Sequence, residues 1–164
     1  MKRITSFISV LLVFSLLFVS NSMFSYADNV KNYYYIDSID GDDSADGLTP
    51  ETAVKTIAGL KNLSIGAGTH FLFRNGGEYE CEVTLTCEGT KDNPVVISSY
   101  GDGEKALLYT DEKKEIFQLI DCSYVTVSDL HLKAVNGGGI WIDTLNKTSY
   151  GIILENLLFT DMQN

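Results

Sequence analysis

A pattern that returns after 27 residues constrains this chain more than any other feature. Residues 124–133 read Tyr-Val-Thr-Val-Ser-Asp-Leu-His-Leu-Lys, and residues 151–160 read Gly-Ile-Ile-Leu-Glu-Asn-Leu-Leu-Phe-Thr. The offset pairs Val125 with Ile152, Val127 with Leu154, Asp129 with Asn156, Leu130 with Leu157 and Leu132 with Phe159. Each copy alternates apolar and polar residues, breaks phase at the Asx residue and alternates again, which predicts two short strands meeting at a bend. One such copy cannot bury its apolar face alone. Stacked copies can, because each rung covers the next, as in a solenoid. Related segments precede them, Pro-Val-Val-Ile-Ser-Ser-Tyr at 94–100 and His-Phe-Leu-Phe-Arg at 70–74. The spacings are uneven, roughly 24 to 30 residues, as expected when insertions fall at the corners of a solenoid. The segments are rich in Val, Ile, Thr, Phe and Tyr, with glycines between them, and none sustains a helical period. The competing reading is a β-sandwich in which two strand-rich segments are alike by chance.

The expected domain plan has three parts. Residues 1–27 carry Lys2 and Arg3, an apolar run from Phe7 to Val19 and the small-residue ending Ser25-Tyr26-Ala27. This is the form of a signal peptide, too short in its apolar run to span a bilayer with assurance. Secretion, with no membrane attachment after cleavage, is the expectation. Residues 28–66 would form an N-terminal strand (Tyr33-Tyr34-Tyr35-Ile36), an acidic turn and a capping helix. Residues 67–164 would form the first coils. The helix is expected from Thr49 as cap, Pro50 at the first helical position, and Ala53, Ile57, Leu60 and Leu63 along one apolar face. Such a helix would lid the open end of the solenoid.

Without the leader, 10 basic residues face 22 acidic ones, a net charge of −12. That balance disfavours nucleic acid and anionic lipid, and it suits neutral glycans or calcium. The three cysteines leave at least one unpaired. Cys81 and Cys87 share the parity of Val83 and Leu85 and should face inward. Along one straight strand they would be about 20 Å apart, far beyond disulfide reach. Buried thiols are therefore expected, with Cys122 as another inward-facing stacker.

The acidic turn is the first stretch that could hold a ligand. Asp40, Asp42, Asp43 and Asp46 place four carboxylates in seven residues, a possible calcium site. Against an EF-hand, the bend position is Ala45 rather than Gly and a strand precedes the loop. The alternative is an Asx-rich turn that satisfies its own backbone amides.

The run Tyr-Tyr-Ile-Asp at 34–37, Gly-Asp-Asp-Ser-Ala-Asp-Gly-Leu-Thr-Pro-Glu-Thr-Ala at 41–53, Phe-Leu-Phe-Arg at 71–74 and Asn-Pro-Val-Val-Ile at 93–97 resembles the N-terminal portion of secreted right-handed parallel β-helix proteins, the pectate-lyase-like superfamily. The resemblance covers essentially the whole mature chain. It implies an all-β right-handed parallel β-helix with a short N-terminal capping helix, apparently truncated at its C-terminus. It also implies a polysaccharide or glycan partner, and a lyase or glycoside hydrolase whose catalytic coils lie beyond residue 164. Missing coils, or another chain, would then cover the last rung. The alternative function is a non-catalytic extracellular β-helix that binds glycan or builds a surface structure. The resemblance carries over no catalytic residue.

Within the coils, Asp129, His131 and Lys133 alternate with Leu130 and Leu132, so a carboxylate, an imidazole and an ammonium should project from one rung. They are candidate catalytic groups and equally the wet face of a strand. Trp141 falls on the opposite parity from Ile140 and Ile142 and, beside Asp143, is the candidate sugar-stacking residue. A carboxylate pair across a glycosidic bond is not expected at Asp129. Its rung partner is Asn156, and the two should form a polar ladder.

Overall fold

The computed structural model describes residues 31–60 and 63–162. The leader-like segment, and with it the expected cleavage near Ala27, lies outside the described residues. The protein is a parallel β-solenoid of about three turns. Three strands make one turn: β2 (Thr69–Arg74), β3 (Glu78–Glu80) and β4 (Val83–Leu85) form the first. The second is β5 (Val95–Tyr100), β6 (Leu107–Thr110) and β7 (Phe117–Ile120), and the third β8 (Val125–Ser128), β9 (His131–Ala134) and β10 (Ile140–Asp143). β11 (Ile153–Glu155) and β12 (Leu158–Thr160) begin another. β1 (Asn32–Ile36) leads a five-stranded sheet of order β1-β2-β5-β8-β11, and the others are β12-β9-β6-β3 and β10-β7-β4.

The 27-residue offset is the observed register, with Leu154 beside Val127 and Phe159 beside Leu132. Elsewhere the step varies with the corners, from 23 residues between Phe117 and Ile140 to 34 between Val83 and Phe117 and 37 between Asn32 and Thr69. Inward residues stack rung upon rung, and Phe73, Ile97, Val127, Leu108, Leu132 and Leu119 are fully buried. The phase break has a direct cause. Asp129 and Asn156 take left-handed φ values of 60° and 50°, which only small polar side chains tolerate readily apart from glycine. Both turn the chain from one sheet into the next.

The expected capping helix is replaced by two 3₁₀ turns, Pro50–Thr52 and Ile57–Gly59. Thr49 caps the first turn, and Thr52 closes a reciprocal capping box. Ala53 then becomes extended, at φ −57° and ψ 141°, because Val54 pairs in parallel with Ile36. Its amide donates to the Tyr35 carbonyl at 3.1 Å, and its carbonyl accepts from Asp37 at 2.8 Å. Backbone pairing of a β-branched residue therefore overrides the helical spacing. The segment still lids the barrel: Val54 and Leu60 are buried, and Ile57 packs on the core. Gly41 is needed here, since a Cβ would lie 2.4 Å from the Asp37 carbonyl oxygen and 2.6 Å from that of Val54. Beneath the lid an apolar cavity of about 200 Å³ is lined by Ile57, Leu63, Phe71, Phe73 and Leu85, among others.

Cys81, Cys87 and Cys122 are all buried thiols, as strand parity implies.

Candidate functional site

The outer face of the five-stranded sheet presents two rows of side chains, two residues apart and of the same parity. Register places Tyr33, His70, Val96, Thr126 and Ile153 in one row. Tyr35, Leu72, Ser98, Ser128 and Glu155 follow in the other. At the upper end the rings pack on one another: Tyr33 lies 4.6 Å from His70, and Tyr35 meets Tyr100 edge-on at 5.2 Å. Tyr34, of opposite parity, is buried against Phe71. The result is an aromatic surface that runs into a stripe whose serines, Ser98 and Ser128, are buried.

Asp129 closes that stripe at the bend. Its Oδ1 accepts the side-chain amide of Asn156 one rung below, and Lys105 Nζ lies 3.7 Å away. Ser98 Oγ reaches its Oδ2 at 3.5 Å, and Ser128 Oγ donates to Ser98 Oγ at 3.0 Å. Lys105 also donates to the Asn156 carbonyl at 2.8 Å. The Asn156 amide in first place holds the Asp129 carboxyl below its ordinary value, against a smaller opposing effect of burial. Hydroxyls and Lys105 add to the lowering. At neutral pH this is an ionised carboxylate with its side chain 48% exposed. It can accept hydrogen bonds from sugar hydroxyls or act as a base, but it cannot serve as the proton-donating acid.

The neighbouring candidates do not join it. His131 and Lys133 do face outward between buried Leu130 and Leu132. His131 Nε2 pairs with Thr160 Oγ1 at 2.7 Å, however, and Lys133 Nζ lies 3.5 Å from Asp161. Each of the three therefore engages its own partner on the following rung. The ladder of Asp129 and Asn156 forms, and the rung neighbour of Glu155 is Ser128, so no carboxylate pair is built at Asp129.

Trp141 lies on another wall of the solenoid, in β10 beside Gln118 of β7. It is 54% exposed, so its ring is open to solvent. Asp143 spends one oxygen on the Thr144 amide at 2.7 Å.

In the acidic turn the carboxylates diverge. Arg74 bridges Asp37 and Asp40 at 2.6 Å each. Asp42 accepts the Ser44 amide, Asp43 accepts both the amide and hydroxyl of Thr56, and Asp46 accepts the Leu48 amide and the Thr52 hydroxyl. Burial works against the charge of Asp37, but the amides of Asp40 and Ile39 together with Arg74 keep it below the usual carboxylate range. Among the described residues no three His, Cys, Asp or Glu side chains gather as metal ligands.

Two residues escaped sequence reasoning. Lys105 belongs to a corner with no strand signal and reaches Asp129 only through the coil. Asp121, 6% exposed, accepts the amides of Leu145, Asn146 and Lys147 and the side chain of Asn146. The Asn146 amide is the largest influence, and these donors together bring its carboxyl down to about 2. Its left-handed φ of 54° marks it as another bend Asx, and the signal that could have found it is its place directly after a strand, which Asp129 and Asn156 share.

No known family pattern and no curated protein matches the sequence. Solved structures do match. The chain is similar to GH136 lacto-N-biosidase from Eubacterium ramulus in its selenomethionine form, with a TM-score of 0.65 and 26% identity over 78% of this chain and 27% of that one. The native form of the same enzyme matches at a TM-score of 0.59 and 25% identity, covering 77% and 26%. The chain thus spans about a quarter of the length of these structures.

Proposed function

We propose that this protein is an exported β-helix that acts on neutral glycans as a glycoside hydrolase, its described coils binding and positioning sugar. The supporting observation is the likeness to a lacto-N-biosidase across three quarters of the chain. The aromatic surface ending at Asp129 is the sugar-binding face, because rings pack on sugar faces while an ionised carboxylate takes sugar hydroxyls; the buried Ser98 and Ser128 brace Asp129 from behind. Trp141 is a second, separate contact. These coils are assigned binding rather than bond cleavage, since Asp129 faces Asn156 and not a second carboxylate.

The choice of neutral over acidic glycan rests on charge. Arg74, Lys105, Lys114, Lys133 and Lys147 are each tied to a carboxylate, which leaves no basic groove built from them for a polyuronate. This argues against a pectate-lyase-like substrate. A non-catalytic glycan-binding β-helix is the second reading, favoured by the same lack of a carboxylate pair at Asp129.

Calorimetric titration with a lacto-N-biose-terminated oligosaccharide and with an oligogalacturonide tests the binding. Saturable heat with the first and none with the second is expected; silence towards both, or preference for the uronate, removes the reading. Product analysis then separates the classes: a released disaccharide means hydrolase, an unsaturated product means lyase, and intact ligand means binding only.

A further inference from the structure

Cys87 and Cys122 lie 35 residues apart in sequence and side by side in the fold. Cys87 follows β4 at the end of the first turn and Cys122 follows β7 at the end of the second. The residues after them, Glu88 and Ser123, form a parallel bridge, and the Ser123 amide donates to the Cys87 carbonyl at 3.1 Å. The two cysteines are therefore rung neighbours, and neighbouring strands stand about 4.8 Å apart, within the Cα separation of about 4.4 to 6.8 Å that disulfides span. Their Sγ atoms are 3.5 Å apart, and Cys122 Sγ also lies 3.3 Å from the Leu85 carbonyl oxygen. A small rotation of the two side chains brings the sulfurs to bonding distance. Cys81, the other thiol, has no sulfur contact of this kind and is pushed up to about 12 by burial.

We propose that Cys87 and Cys122 form a reversible disulfide that staples the first turn of the solenoid to the second, with Cys81 left as a thiol. Cys122 is the attacking sulfur. The contact between the two sulfurs, in which either can donate, lowers Cys122 and, together with burial, raises Cys87. The oxidant is a disulfide, either oxidised glutathione or a disulfide-bearing oxidoreductase. The Cys122 thiolate attacks one of its sulfurs and expels the other as a thiolate. The Cys87 thiol then gives up its proton and attacks the Cys122 sulfur of the mixed disulfide, expelling the second thiolate. Two protein thiols lose two electrons, the oxidant's disulfide becomes two thiols, and the two protons pass to them. Both cysteines are closed to solvent in the folded state. A cleft of about 300 Å³, lined by Glu88, Gly89, Asp121, Ser123, Lys147 and Tyr150 among others, opens over the residues that flank them. Reaction during folding, or on local opening at this cleft, follows.

The full chain is refolded, and separately incubated in its folded state, across a series of reduced-to-oxidised glutathione ratios. It is then quenched with acid, alkylated under denaturing conditions and mapped without reductant. A cross-linked peptide pair containing Cys87 and Cys122, with alkylated Cys81, is expected. A melting temperature higher by on the order of 10 °C than the reduced form, as a closed loop of this length implies, should revert on reduction. Cys81→Ala should keep both results, and Cys87→Ser should abolish the difference. If Cys87→Ser does not fold, the map of the unaltered chain decides. Two alkylated thiols at Cys87 and Cys122 at the most oxidising ratio after refolding, a bond that includes Cys81, or a cross-linked form that melts no higher would each overturn the proposal. None of these outcomes bears on glycan binding.

Discussion

The bends of this solenoid are made by single residues. Asp121, Asp129, Asn156 and Asp161 all have left-handed φ values between 50° and 60°, a conformation that costs most other residues roughly 1 to 2 kcal/mol. Asp129→Ala should therefore lose about that much stability in urea unfolding, whereas Asp129→Gly should recover most of it. Both should weaken glycan binding in calorimetry, because neither supplies the carboxylate. Asp121 carries a pH dependence. Its carboxyl, at about 2 in the folded chain, is depressed below its unfolded value of about 3.9. The stability it contributes is fully present above the unfolded value and is lost as pH falls through the folded one. Thermal melts from pH 5 to about 2 should show a steeper decline for the wild type than for Asp121→Asn, and the variant should melt lower at neutral pH.

At the level of strands, identical places in the repeat differ in energetic weight. Leu132 and Phe159 are rung partners, but Leu132 is fully buried while Phe159 is 47% exposed. Leu132→Ala should cost about 2 to 5 kcal/mol, and Phe159→Ala about 1 kcal/mol or less, in denaturant titrations. In the lid, Gly41→Ala forces apart two carbonyls that approach within 2.6 Å of the new Cβ and should cost about 1 to 3 kcal/mol. The acidic turn spends its carboxylates on amides, hydroxyls and Arg74. Millimolar calcium should therefore leave the melting temperature unchanged, and a clear rise would mean that the turn rearranges around the ion.

Across the whole molecule, the first turns bury their core while the last strands do not. Leu154, Leu158 and Phe159 stay 45 to 47% exposed, in strands of which β11 and β12 end their sheets. An apolar sheet edge of this kind is a surface on which a further coil or another chain can stack.

The repeat, the strand parity, the inward thiols and the bend at Asp129 and Asn156 were all legible in the chain, because each depends on alternation over a few residues or on one fixed offset. The lid was misread as a helix because the spacing of Ala53, Ile57 and Leu60 carries no trace of the Ile36 backbone waiting to pair with Val54. Lys105 beside Asp129, Asp121 under residues 145–147 and Cys87 against Cys122 were not legible either. Each contact crosses a corner, and corner lengths shift the register by 23 residues in one sheet and 34 between an earlier pair of the same sheet. What the sequence determined by itself was the stacking, since alternation and rung spacing are local properties of an extended chain. Which side chains meet was decided only by the tertiary structure, because the steric and hydrogen-bonding demands of the corners set how far each rung is displaced along the chain from the one before.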